Sequence, residues 1–289
     1  MKDLNLDIFP ATNKEQWKQL AEKQLKGADP DRELTWKNNA EINLEAYYDT
    51  SDLDDLKYLQ DYFEGIGSHK WKLYEEVEVD DEKNTNKNIL KALMGGCDGI
   101  ILKVNEDVDF ESALKNVDRD ICDIAIRSSK SFDLRGINGF LSAPEGNCFE
   151  SPISTNPISQ ISSILKGLSD KTHIYRTAYS DFFLEISSLR ALRFLLNRSD
   201  VQIHTNVPKH KSDEHQWFVN TTAGLASILG GTHSIDFSTV TGDSRISRNT
   251  GNLIREESGI EEYSDQCGGS YYVEVLTDRI IQEVKEKLK

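Results

Sequence analysis

The chain has 289 residues, with 37% hydrophobic and 29% charged residues, a composition that buries a sizeable core and excludes a disordered chain. Its 49 acidic residues outnumber 34 basic ones, and the net charge of -15 argues against nucleic acid as a partner, since phosphate binding needs clustered Lys and Arg. It has no run of about 18 apolar residues that would span a membrane, and Met1-Lys2-Asp3-Leu4-Asn5 lacks an apolar signal core, so a cytoplasmic location is expected.

In chain order, the first predicted element is a helix opened by a capping box at Thr12-x-x-Glu15. Trp17, Leu20, Ala21 and Leu25 form its apolar stripe, and Gly27 stops it. An acidic, Tyr-rich connector runs to about Gly67. Beyond it strands and helices alternate. Strands are expected at Trp71–Val79, Gly99–Val104, Ile121–Ser128, Gly139–Ala143, His173–Tyr179, Val201–Asn206 and Ser234–Val240. Helices are expected at Asn156–Leu168 with Pro157 in the first turn, Asp181–Asn197 capped by Ser180, Glu214–Leu229 and Val273–Leu288.

The segments around Gly95-Gly96 and Gly230-Gly231 echo each other: a helix end, a Gly-Gly stop that tolerates positive φ, then a strand that starts with isoleucine. Repetition of this kind implies a parallel sheet, and without a Gly-rich nucleotide turn after the first strand a barrel is favoured over an open sheet. The expected fold is α/β, a TIM-type (β/α) barrel that is irregular or short of one βα unit, with an N-terminal helical extension. Residues 1–67 form the extension and 68–289 the barrel.

Cys97, Cys122, Cys148 and Cys267 have neither metal-ligand nor redox spacing and read as free thiols. His204-Thr205-Asn206 ends a predicted strand, where barrel catalysis is built. The histidine there is either an acid, base or donor to a thioester carbonyl, or a satisfied polar group in a wet mouth. Arg176 and Tyr179 either meet a carboxylate or CoA phosphate or pair internally. Gly268-Gly269-Ser270 precedes the last helix, whose starting amides attract anions. His210 and His215 flank a charged loop without a third metal ligand. Arg245, Arg248 and Arg255 are explained by internal ion pairs or a subunit contact.

Four blocks carry a resemblance: Ala223–Ile235, Ser244–Thr250, Glu256–Ile260 and Gly268–Glu274. In this order and spacing they resemble the acyl-CoA-binding barrel of cobalamin-dependent acyl-CoA mutases, above all the methylmalonyl-CoA mutase family. Trp17…Ala21-Glu22…Leu25-Lys26-Gly27…Leu34-Thr35-Trp36…Glu41-Ile42 is similar to the family's N-terminal segment, which wraps across a partner subunit. Asp181–Arg193 is similar to its Phe-Phe-x-Glu-Ile-x-x-Leu-Arg helix.

The departures from the family are as informative. Catalytic members carry a Tyr-His pair, and no such dipeptide occurs here. The family's Arg-Gln-Tyr-Ala-Gly-Phe loop is replaced by Glu75-Glu76-Val77-Glu78-Val79-Asp80-Asp81, and its Gln-Thr-Ser-Gly segment by His204-Thr205-Asn206-Val207. The sequence, which ends at Lys289, shows no Asp-x-His-x-x-Gly cobalamin motif. The resemblance therefore implies a reduced, non-catalytic small subunit of a methylmalonyl-CoA mutase. It would hold no cofactor itself, with adenosylcobalamin on a partner, and would associate with a mutase large subunit or with itself. The alternative is an acyl-CoA-binding half of a split mutase. A degenerate copy without substrate is expected to have a narrowed or filled channel.

Overall fold

The computed structural model describes residues 12–59, 70–104, 109–131 and 138–289. Met1–Asn5 and the expected boundary after Gly67 lie outside them. The elements in chain order are α1 (Lys14–Gln24), α2 (Pro30–Glu33), β1 (Trp36–Lys37), β2 (Asn43–Leu44), β3 (Lys72–Glu78), α3 (Glu82–Met94), β4 (Gly99–Val104), α4 (Phe110–Ala113), β5 (Asp123–Ser128), β6 (Leu141–Ser142) and β7 (Cys148–Glu150). Then come α5 (Pro157–Gly167), β8 (His173–Thr177), α6 (Phe182–Leu196), β9 (Gln202–Val207), α7 (Asp213–Gly230), β10 (Ser234–Phe237), α8 (Ser244–Glu257) and α9 (Tyr271–Leu288).

Eight strands, β3 to β10, form one parallel sheet in the order β6-β5-β4-β3-β10-β9-β8-β7, nearly closed into a barrel with helices around it. The fold is an α/β TIM-type barrel. Seven strands are marked in the sequence, which leaves the barrel irregular or short of one βα unit, and the structure adds an eighth. The overlooked strand is β7, three residues long and set between Asn147 and Ser151 with no apolar run to announce it. What is missing is a helix, because β6 passes to β7 through Ala143–Asn147 alone.

β6 and β7 are the two ends of the ladder, and side chains bridge them. The Leu141 N–H donates to Asn147 Oδ1 at 2.7 Å, and Ser142 Oγ donates to Glu150 at 2.7 Å. Where a backbone ladder stops, such bonds satisfy groups that would otherwise be buried unpaired.

Strand alternation divides the core. Outward residues such as Leu73, Ile100, Leu102, Ile124, Ile174, Ile203 and Ile235 are at most 1% exposed, under the helices. Inward residues Tyr74, Ile101, Ala125, Phe140, Cys148 and Tyr175 form a separate cluster on the barrel axis. The Phe140 ring lies 4.5 Å from His204 and 5.5 Å from Tyr175. The axis is packed with side chains.

The Gly-Gly echo has a two-part cause. The second glycine of each pair supplies a positive φ, +99° at Gly96 and +93° at Gly231. The first supplies space: a Cβ on Gly95 would meet Arg248 Nε at 2.2 Å, and one on Gly230 would meet Leu189 Cβ at 2.9 Å.

Two expected caps are one residue off. α1 is capped by Asn13, whose Oδ1 accepts from Gln16 N at 2.9 Å, not by a Thr12–Glu15 box. α6 is capped by Asp181, which accepts from Leu184 N at 3.0 Å, rather than by Ser180. In both places an Asx side chain takes the cap from the neighbouring hydroxyl residue. Asn156 caps α5 as expected, accepting from Ser159 N at 3.0 Å. The N-terminal segment packs on α9 through Tyr58 to Glu274, Arg279 to Glu45 at 3.2 Å, and a Tyr48–Tyr272 edge contact at 5.7 Å.

Candidate functional site at the barrel mouth

Strand ends, not helix ends, face the mouth of such a barrel, and there the inward positions turn polar. Arg127 at the end of β5 is the hub. Its guanidinium is ion-paired with Glu76 of β3 and Glu150 of β7 and lies 4.4 Å over the Tyr175 ring of β8. Tyr175 donates to Asp236 of β10 at 3.3 Å, and Asn206 of β9 donates to the same Asp236 oxygen at 2.6 Å. With Ser142 of β6 on Glu150, one connected belt ties seven of the eight strands.

The belt's electrostatics are uneven. Burial pushes the Asp236 carboxyl up to about 7, Glu76 adds to this, and Asn206, Arg127 and Tyr175 pull the other way. Burial opposes the Arg127 charge, yet Tyr175, Glu150 and Glu76 more than offset it and hold the guanidinium above its ordinary range. Burial likewise opposes the Glu150 charge, but its bonds from Arg127 and Ser142 hold the carboxyl below the usual carboxylate value. Asp236 is 3% exposed, so the mouth holds a buried carboxyl that keeps its proton to much higher pH than an ordinary carboxylate.

Below the belt, His204 Nε2 lies 2.9 Å from His173 Nδ1, and His204 Nδ1 shares a hydrogen bond with Ser234 Oγ. Burial, together with His173, His233 and Lys72, drives the His204 imidazole well below its ordinary range, so the ring is neutral. Asp123 accepts from Lys72 and from the Tyr74 hydroxyl at the foot of the barrel.

The residues singled out in the sequence fall in four places rather than one. Asn206 is in the belt and His204 is on the axis. Arg176, Thr205 and Tyr179 lie between sheet and helices. There Arg176 pairs with Glu185 at 2.6 Å and with Gln160 at 3.1 Å. Tyr179 donates to Gln160 at 2.8 Å, and Thr205 meets Thr232 at 2.8 Å. Gly268, Gly269 and Ser270 precede α9, where the Gly269 amide donates to Glu274 at 2.8 Å. That carboxylate is also held by Arg190 and Tyr58, so the chain's own Glu274 takes the anion's place at this amide.

The acidic run at 75–81 is distributed over separate partners: Glu75 to Arg248 and Ser244, Glu76 to Arg127, Glu78 to Lys103, and Asp81 to the α3 cap. Among the described residues no group of three or more His, Cys, Asp or Glu is placed to hold a metal. Sequence reasoning missed Arg127, Glu150, Tyr175 and Asp236. The available signal was a polar residue at the last inward position of each strand.

This geometry sits on a sequence with identifiable relatives. Residues 173–289 match the methylmalonyl-CoA mutase family. The matched span takes in β8 to α9 and all four sequence blocks. The chain is 31% identical to a methylmalonyl-CoA mutase of Escherichia coli over 134 residues, covering 36% of this chain and 18% of that protein. It is 28% identical to a methylmalonyl-CoA mutase small subunit of Porphyromonas gingivalis over 117 residues, covering 37% and 19%. To a 2-hydroxyisobutanoyl-CoA mutase large subunit of Aquincola tertiaricarbonis it is 26% identical over 208 residues, covering 59% and 36%. The matches thus span less than a fifth of the first two mutases and about a third of the last.

Proposed function

We propose that this chain is a non-catalytic subunit, the structural partner of a cobalamin-dependent methylmalonyl-CoA mutase whose other chain interconverts methylmalonyl-CoA and succinyl-CoA. The observation that carries this reading is the packed barrel axis. Tyr74, Phe140, Tyr175 and His204 are each at most 4% exposed, where a thioester arm would need an open path. Above them the belt ties the mouth across Arg127.

The residues present do not fit adenosylcobalamin. At the mouth Arg127, Glu76 and Glu150 are committed to one another, and His173 and His204 are bonded together below the belt. In this reading the cofactor belongs to the partner chain, where the radical chemistry resides.

Association with a mutase large subunit is supported by the relatives named as subunits. A cytoplasmic setting is part of the proposal. Among the described residues no helix is long and apolar enough to cross a membrane. The test is co-expression with a methylmalonyl-CoA mutase large chain. A stoichiometric complex that survives gel filtration is expected, and two species eluting separately at high micromolar concentration would overturn the reading.

A further inference from the structure

Among the described residues the strand order ends at β6 and β7, and the seam between them is spanned by side chains instead of a backbone ladder. Leu141 N–H donates to Asn147, Ser142 donates to Glu150, and Arg127 pairs with Glu150. The Arg127 bond is the one that depends on the rest of the mouth. The same guanidinium holds Glu76 and lies over the Tyr175 ring.

Asp236 stands where it can compete for that guanidinium. It faces Glu76 of β3, Arg127 of β5, Tyr175 of β8 and Asn206 of β9, with Glu150 of β7 on the far side of Arg127. His204, below it on the axis, is neutral, and Lys103 and Glu78 near the ends of β4 and β3 pair with each other at 3.0 Å. Tyr175 donates to Asp236 at 3.3 Å while its ring lies 4.4 Å from Arg127, so carboxyl and guanidinium meet the same tyrosine.

The two protonation states of Asp236 load this cluster differently. Protonated, it leaves Arg127 to Glu76 and Glu150. Ionised, it is a third carboxylate beside one guanidinium, repelling Glu76 and attracting Arg127 where burial has removed most of the screening water. The weaker grip gives way first. The Glu150 side chain is 42% exposed against 31% for Glu76, so water replaces the guanidinium more readily at Glu150, which is the bond across the seam.

We infer that the belt is a proton-controlled latch: a proton on Asp236 keeps Arg127 on Glu150 and the β6–β7 seam shut, and its loss draws Arg127 away and lets the seam open. Burial raises that carboxyl to about 7, so the exchange falls in a mild range of pH rather than in acid. The inference goes beyond the mutase-subunit reading and does not rest on it, since its test contains no mutase chain.

Two buried thiols read the latch against the whole fold. Cys148 is on β7 at the seam, 3% exposed, and Cys97 is in the separate core under the helices, 8% exposed. Burial holds both thiols above their ordinary range, so their thiolate fractions grow alike with pH and cancel in a ratio. The test is pulsed alkylation with iodoacetamide from about pH 5 to about pH 9, with each cysteine followed by mass spectrometry. In the wild-type chain the rate at Cys148 relative to Cys97 is expected to rise at least about fivefold across this range. In Asp236→Asn, which cannot ionise, the ratio is expected to stay flat and low. Glu76→Gln removes the charge that repels Asp236, so its rise is expected at lower pH than in the wild type. A wild-type ratio that does not change with pH would overturn the inference. So would a rise shared by Asp236→Asn, or one that Glu76→Gln leaves at the same pH.

Discussion

Arg127 on β5 grips Glu150 on β7 across the one junction of the barrel where the backbone ladder stops. Two strands away the same guanidinium holds Glu76 on β3. A single side chain thus closes a barrel that its main chain leaves open between β6 and β7.

Arg127→Met should therefore cost about 2–3 kcal/mol. That is below the 3–5 expected for breaking a fully buried pair, because the guanidinium is a quarter exposed. Urea denaturation gives the loss, and hydrogen exchange should show it concentrated in Leu141–Glu150. Uniform protection with unchanged stability would show that the belt does not close the barrel.

Asp236 makes stability depend on pH. Its carboxyl rises from its ordinary value of 3.8 to about 7 on folding, so between those values the folded chain keeps a proton that the unfolded chain has released. Raising the pH through this window lowers stability by up to ~1.4 kcal/mol per unit, reaching ~4 kcal/mol in all, and the loss is complete above pH 7. Asp236→Asn should remove this dependence. Its stability relative to wild type should climb between about pH 4 and pH 7 and level off beyond. A constant difference between the two proteins would contradict the assignment.

The two glycines of Gly230-Gly231 should fail differently. Gly231→Ala forces a Cβ onto a φ of +93° and should cost about 1–2 kcal/mol whatever its neighbours. Gly230→Ala drives a Cβ to 2.9 Å from Leu189 Cβ, an overpacking cost of about 1–3 kcal/mol. In a double-mutant cycle Leu189→Ala should therefore couple to Gly230→Ala and not to Gly231→Ala. Equal coupling would remove the distinction.

Arg176 is 2% exposed and Glu185 0%, with Ser227 and the Tyr179 amide also on that carboxylate. Arg176→Met or Glu185→Gln should each cost about 3–5 kcal/mol, because one partner's removal strands the other. A variant with near-native melting would mean that the pair is dispensable to the fold.

Much of the barrel was legible. The alternation of apolar strands with capped helices, and the Gly-Gly stops, are local features whose chemistry can be read in place. β7 was not legible, because Cys148-Phe149-Glu150 is short and gains its order from the ladder with β8. The belt was hidden for a similar reason. Glu76 sits inside an acidic run that reads as surface, and Asp236 inside an apolar strand. Only closure of the sheet brings them to Arg127, 51 residues from Glu76 in the chain. Arg176 read as a possible ligand group because sequence shows a strand position but not which face meets the buried Glu185.

If the packed barrel axis excludes an acyl-CoA, calorimetric titration of the purified chain with methylmalonyl-CoA will show it. Only heats of dilution are expected up to millimolar ligand. A saturable isotherm, lost when Phe140 on the axis is replaced by Trp, would contradict it and establish an acyl-CoA-binding barrel instead.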